Sequence, residues 1–247
     1  MNMLLSLLLT LTVAPATHSP DDPQRQQALR HYRAGSDALR AESWDEAEQE
    51  FKTAAALDPL FEGAHYGLGQ VYMATKRYPE AVRAYTRCRE AYHDGVSAAL
   101  TDRLASERRL DDYIDSLRQS LRGLQSGRIK TVDTTTSIQR MQDQIRDLER
   151  RRKRSQGGTQ PTPPWISLAL GSAQFRAGDF GAAEKEYRAT LEVDPELGEA
   201  HNDLAVVLML TGRLEDAEQE VKRAEGSGFK VNPGLRKEIQ ARKAAGP

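Results

Sequence analysis

A period of 34 residues runs through this chain and limits its fold more than any other feature. Gly35, Gly69 and Gly171 stand one or three periods apart, and Ala205 follows one period later. Twelve residues on come Ala47, Ala81, Ala183 and Ala217, and four residues beyond them stand Phe51, Tyr85, Tyr187 and Val221. Two antiparallel helices per unit account for this spacing. A glycine or alanine lets the helices approach closely, and the large residue one turn past the alanine fills the space beside it. Trp44, Tyr78, Phe180 and Leu214 open the second helix of each unit. Pro59 and Pro195 follow Asp58 and Asp194 where that helix ends, because proline cannot continue a helix interior.

These positions resemble the tetratricopeptide repeat (TPR), whose pattern holds a small residue in the first helix, alanine and an aromatic in the second, and a terminal proline. The segments SWDEAEQEFKTAAALDP and DFGAAEKEYRATLEVDP match it closely, and EGAHYGLG parallels GEAHNDLA. The resemblance covers Ala28 to about His93 and Pro164 to about Phe229, a little over half of the chain. It departs at His93 and Phe229, which occupy the proline slot, and at Ala34, where a larger aliphatic residue is usual. After Gly226 and Gly228, Asn232-Pro233 starts a last helix, GLRKEIQARKA, whose charged face suits the open end of a stack.

Between the second and third units lie Val96 to Pro163, a stretch of two periods whose register fails. The small and large slots would hold Arg103, Asp115 and Gln119, then Ser137 and Glu149, which cannot make a small-against-aromatic contact. Leu110, Ile114, Leu117, Leu121 and Leu124 instead step by four and three, as do Ile138, Met141, Ile145 and Leu148. Two narrow apolar seams among charges imply a helical hairpin, with an outgoing helix of roughly 30 residues and a return helix of roughly 19. Its loop is Gly127 to Thr135, and Thr136 with Gln139 forms a capping-box pattern.

The expected fold is thus all-α, a TPR-type helix-turn-helix solenoid interrupted by an antiparallel coiled-coil hairpin. Its expected divisions are a signal peptide at 1–16, a linker at 17–27, TPR units 1 and 2 at 28–95, the hairpin at 96–155, a linker at 156–163, TPR units 3 and 4 at 164–231, and a capping helix at 232–247. The signal reading rests on MNMLLSLLLTLTVAPA, an apolar run ending in Ala14-Pro15-Ala16. The run is shorter than the roughly 20 residues that span a bilayer, so cleavage near Ala16 and a periplasmic or secreted chain are expected. The single cysteine, Cys88, excludes an intrachain disulfide and takes the slot of Ala54 and Ala224 on the buried face.

Composition narrows function by exclusion. Hydrophobic content of 38% with 6% aromatics suits an extended helical array better than a compact enzyme core. Lysine plus arginine (35) nearly cancels aspartate plus glutamate (36), so no whole-molecule field draws nucleic acid. The sequence carries no metal-type histidine pair at helical spacing, no phosphate loop and no nucleophile signature, so no catalytic residue, metal or cofactor is expected. His31, His65 and His201 recur in one repeat slot, as repeat geometry requires.

The resemblance implies that the first helices line a concave groove for a protein or peptide partner. Projecting that way are Tyr32, Ser36, Leu39, Tyr66, Gln70, Met73, Trp165, Leu168, Phe175 and Met209, an apolar and aromatic lining. TPR chains that grip the acidic carboxyl terminus of cytosolic chaperones place Lys, Asn and Arg where this chain has Tyr32, Ser36, Gly67, Trp165 and Ala169, so that clamp is absent. The run Arg150 to Arg154 is the one feature suited to an anionic membrane or an acidic partner. The expected function is an exported, non-enzymatic adaptor with the hairpin as a second contact. The alternative is a structural oligomer of the cell envelope, paired through the coiled coil.

Overall fold

The computed structural model describes residues 22–128, 134–154 and 160–245, with the side chains of 151–154 outside that description. The expected signal peptide lies outside the described residues. Among them the chain is all helix: α1 (Pro23–Arg40), α2 (Trp44–Leu57), α3 (Glu62–Ala74), α4 (Tyr78–Gln125), α5 (Thr134–Arg154), α6 (Pro164–Arg176), α7 (Phe180–Val193), α8 (Gly198–Leu210), α9 (Leu214–Gly226) and α10 (Pro233–Ala245). They form two compact units, one of residues up to Asp94 together with those from Thr162, the other Gly95–Pro161.

Trp44, Tyr78, Phe180 and Leu214 are each the first residue of a helix, and α2 and α7 stop at Leu57 and Val193 before the Asp-Pro pairs. Helix α1 starts earlier than the sequence suggested, so residues 23–27 are helical and not linker. The Asp22 side chain accepts from Gln24 N at 2.9 Å, and Pro23 sits in the first turn, where its missing N–H costs nothing. The turns between paired helices repeat too. Glu42, Lys76, Gly178 and Gly212 occupy one slot, all with φ between 58° and 87°, a backbone that glycine adopts freely and that strains Glu42 and Lys76.

The core of the first unit is built from the small-against-large contact. A Cβ added to Gly35 would come within 2.9 Å of Phe51, one on Gly69 within 2.4 Å of Tyr85, and one on Gly171 within 2.8 Å of Tyr187. In the fourth repeat Ala205 stands in the glycine slot, and there the large residue is the smaller Val221. Ala47, Ala81, Ala183 and Ala217 are fully buried. The stack runs straight across the interruption: Leu170 and Ala173 of α6 share one core cluster with Leu68, Val71, Ala84 and Tyr85 of α3 and α4. Arg89 of α4 also pairs with Glu186 of α7 at 2.7 Å.

Polar ties repeat with the period as well. Glu48 of α2 accepts from Arg77 Nη1 at 2.7 Å, and four periods later Glu184 of α7 accepts from Arg213 Nη1 at 2.6 Å. Each acid lies on a second helix and each arginine in the turn of the next repeat, so the pair ties neighbouring repeats. Lys52 and Arg188, one turn along the same helices, add further cations at 2.7 and 2.9 Å. His201 links α8 to its surroundings, with Nδ1 2.6 Å from Glu220 Oε2 and Nε2 donating to Pro195 O at 2.9 Å. His31 meets Glu50 at 2.7 Å in the first repeat, and His65 donates to Pro59 O at 3.0 Å. At the C-terminal end α10 lays Ile239, 1% exposed, against the last core cluster, and Lys243 reaches Glu218 at 2.9 Å.

In the unit Gly95–Pro161 the outgoing helix differs from expectation. Helix α4 runs unbroken from Tyr78 to Gln125, 48 residues: His93 stands where a proline follows α2 and α7, and α4 has no counterpart of the left-handed Gly228 that follows α9. Helix α5 begins at Thr134, which puts Thr136 in its first turn and not at the cap. Ile114, Leu124 and Ile145 are buried, and the other seam residues are partly buried. Arg118 pairs with Glu149 at 2.6 Å, and Gln144 Nε2 donates to the Tyr113 hydroxyl at 3.0 Å, joining α4 to α5.

Two outcomes follow from these contacts. Gly171→Leu should destabilise the chain by about 1–3 kcal/mol or more, because its side chain must displace the Tyr187 ring. Urea unfolding checks this, and an unchanged midpoint would refute the assigned register. The second concerns pH. Burial pushes Glu48 upward, but hydrogen bonds from Lys52, Arg77 and Tyr72 outweigh it and hold the carboxyl below its ordinary 4.5; Glu184 is lowered in the same way by Arg213 and Arg188. Their contribution is therefore present above pH 4.5 and fades as pH falls through the lower folded values. The double variant Glu48→Gln, Glu184→Gln should melt lower than the parent at about pH 7, with the gap closing toward about pH 3 by circular dichroism.

Candidate partner-binding groove

Two first-helix slots lie three residues before and four residues after the glycine position, so they share one face of each helix. The earlier slot holds Tyr32, Tyr66, Leu168 and Asn202, and the later one Leu39, Met73, Phe175 and Met209. Tyr32, Leu39, Tyr66, Met73, Leu168 and Phe175 are partly buried, with one side against the core and the other open. Tyr32 packs edge-on to Phe61 with ring centroids 4.9 Å apart, and leans on Phe51 at 5.8 Å. Tyr66 lies 5.3 Å from Tyr85 and meets Trp165 at 4.9 Å in a T-shaped pair. That last contact joins the second repeat directly to the third.

Gln70 and Trp165 are exposed, and Trp165 keeps 42% of its surface open, the largest aromatic offered by the repeats. Ser36 turns inward, its hydroxyl donating to Tyr32 O at 2.8 Å. Phe175 packs on Phe180 at 5.6 Å. Met209 corrects the sequence reading: it is only 8% exposed and belongs to the last core cluster. The cause is the C-terminal helix, whose Arg242, Lys243 and Ala245 line the same hollow as Met209. The methionine therefore packs where a fifth repeat would otherwise sit.

Sequence reasoning missed the polar part of this face. Asp203 occupies the slot of Gly67 and Ala169, and a hollow of about 230 Å³ opens there between α6 and α8, lined by Met73, Ser172, Phe175, Arg176, Tyr187, Asp203 and Val206. Burial raises the Asp203 carboxyl to about 6, with Glu199 one turn away adding to the shift and Asn202 Nδ2, at 3.1 Å, opposing it. The signal was present in the register, as a carboxylate in a column that also holds Gly67, Ala169 and the exposed Arg33. A second hollow of about 690 Å³ lies beside α7 and α9, next to the His201–Glu220 pair.

Cys88 is fully buried, and burial pushes its thiol up to about 12, which keeps it protonated and unreactive. Among the described residues no group of three or more His, Cys, Asp or Glu is placed to hold a metal ion. None of the described helices is long and apolar enough to cross a membrane.

The chain matches the tetratricopeptide repeat family over residues 32–94 and 168–228, half of its length, and belongs to that family. A comparison with curated proteins returns no match. Among solved structures, it is similar to PilW, a widely conserved type IV pilus biogenesis factor, at 18% identity over 90% of this chain and 88% of that one, with a TM-score of 0.43. It is also similar to TTC0263, a TPR protein of Thermus thermophilus, at 17% identity over 88% and 99% of the two chains, with a TM-score of 0.37. A third likeness is YrrB, a TPR protein with an unusual peptide-binding site, at 15% identity over 87% and 92%, with a TM-score of 0.29. As a tetratricopeptide repeat protein the chain is a protein-interaction scaffold.

The division of this face into fixed and open rings can be measured. Tyr85→Ala should cost about 3–5 kcal/mol, as expected for emptying a buried aromatic site, whereas Trp165→Ala should cost about 0.5–1.5 kcal/mol, the worth of its edge contact with Tyr66. Equal losses in urea unfolding would mean that Trp165 is a core residue.

Proposed function

We propose that this chain is an exported, non-enzymatic scaffold that holds a segment of a protein or peptide partner along the open face of its first helices. The observation that carries the reading is the row of open and half-open side chains, Tyr32, Tyr66, Gln70, Met73, Trp165, Leu168 and Phe175, which recur on one side of successive first helices and are joined from the second repeat to the third by the Tyr66–Trp165 contact. Rigid aromatics with one face already fixed by packing give contact area at little entropic cost, which is why such residues dominate interface energetics. Export is supported by the apolar segment Met1 to Ala16, and it places the chain in the periplasm or outside the cell.

The helical pair of α4 and α5 serves as a second contact in this reading, an antiparallel coiled coil whose seams are satisfied within one chain. Burial of Ile114, Leu124 and Ile145 supports that assignment over pairing between chains. The basic run from Arg150 is the segment whose charge suits an acidic partner or anionic lipid.

The test uses the full chain and peptides selected on it from a random displayed library. Binding measured by fluorescence anisotropy should weaken roughly tenfold in Tyr66→Ala and in Trp165→Ala. It should be unchanged in Tyr113→Ala, an exposed residue of the other unit. Sedimentation equilibrium of the same preparation should return a monomer. A stable dimer or trimer, with peptide binding indifferent to Tyr66 and Trp165, would put the structural oligomer in place of the adaptor.

A further inference from the structure

Packing alone would fill the Asp203 slot with a small residue. Gly67 holds it in the second repeat, where an added Cβ would come within 2.5 Å of the Phe51 ring of the preceding repeat. Ala169 holds it in the third, and only in the first repeat, where the slot is exposed, does a long side chain, Arg33, stand there. In the fourth repeat the slot instead carries a carboxyl group beside Tyr187, the preceding aromatic of the series. A part-buried carboxylate lowers stability unless opposite charge or several donors compensate it. One neutral donor, Asn202 Nδ2 at 3.1 Å, reaches it and Arg176 offsets part of its charge, but Glu199 adds a second negative charge one turn earlier on α8, and burial still holds the carboxyl above its ordinary range. A residue that costs stability and opens into a hollow on a binding face marks a functional position.

The hollow is about 230 Å³, below the roughly 300–1,000 Å³ of small-molecule sites and suited to one long side chain. Met73, Phe175 and Val206 make one part of its lining apolar, while Asp203, with Ser172 and Arg176, makes the other part polar. This combination of an apolar side and a carboxylate head is the complement of an amphipathic cationic side chain, which buries its stem and keeps its charge at the tip. On the groove reading above, on which this inference rests, we propose that the hollow receives a lysine or arginine side chain of the partner segment. The stem lies along Met73, Phe175 and Val206, and the cationic head meets Asp203 and Glu199.

A bound cation supplies positive charge beyond that of Arg176, which already lines the hollow. It favours the ionised form of Asp203, whose titration burial displaces to about 6, so binding tightens as pH rises through that value. The charged and titratable groups facing Asp203 are Glu199 on its own helix, Arg176 on α6 and Tyr187 on α7. Burial lifts the Tyr187 hydroxyl well above its ordinary 10.0, so it stays neutral throughout. In the free chain the sign is reversed: a carboxyl raised from 3.8 to about 6 makes the fold less stable as pH rises across that window, and Asp203→Asn removes this loss.

The experiment is the same peptide selection on the full chain, read for composition and for pH dependence. Selected peptides should carry lysine or arginine at one fixed position, and norleucine there should weaken binding roughly tenfold. Asp203→Asn should weaken the parent peptide by a similar factor without adding to the norleucine loss, abolish the tightening between about pH 5 and about pH 7.5, and raise Tm at about pH 7. Glu199→Gln should weaken the peptide in the same direction by a smaller factor. Peptides that depend on Tyr66 and Trp165 but show no fixed basic position overturn this inference and leave the groove reading standing, as do acidic peptides whose binding is lost in Arg176→Gln. Failure to obtain any peptide that depends on Tyr66 and Trp165 overturns both.

Discussion

The ring of the second helix sets the geometry of the whole stack. Phe51 touches two glycines at once, Gly35 of its own repeat and Gly67 of the next. One side chain thereby fixes both the separation of the paired helices and the approach of the following pair. Tyr85 repeats the arrangement against Gly69, and its cluster receives Leu170 and Ala173 of α6 as though no residues intervened. The fourth repeat shows that volume is what counts: an alanine replaces glycine where a valine replaces the ring, so the sum of the two is held roughly constant. Because these interiors are packed to crystal-like density, such a contact tolerates exchange only when both partners change together.

The same helices therefore carry two kinds of position. Residues on the glycine side are fixed by the core, and residues three before or four after it are free to vary because only half of each is enclosed. Asp203 departs from that division, since it stands on the packed side and yet carries charge. The inter-repeat acids, Glu48 and Glu184, belong to the fixed set although they are polar, since each is held by cations from its own helix and from the following turn.

Much of this was legible in the residues. The 34-residue register located the first residue of four helices, the buried alanines and the enclosed Cys88, because each reflects a steric demand that recurs in every repeat. What the register left out depends on non-repeating neighbours. Met209 is enclosed by α10, which follows the last repeat and belongs to no column. The unbroken α4 passes through His93, where the missing proline was visible but the outcome is continuation and not merely a frayed end. The Glu48–Arg77 and Glu184–Arg213 ties were hidden because their partners lie 29 residues apart, off the period itself. Asp203 was readable in principle and overlooked because an aspartate on a helix is usually solvated.

The interruption leaves the first unit at Asp94 and rejoins it at Thr162, and the His93 ring and Thr162 hydroxyl stand 2.8 Å apart at that seam. Each pair of repeats falls short of the roughly three that such an array needs to be stable, so the halves must meet before either is secure. The entropy of bringing them together grows with the length of disordered chain between them. Ordering α4 and α5 first would shorten that chain, while leaving 95–161 unfolded would lengthen the search. The insert thus acts on the order and speed of folding, as a timing element for contacts in which none of its residues takes part.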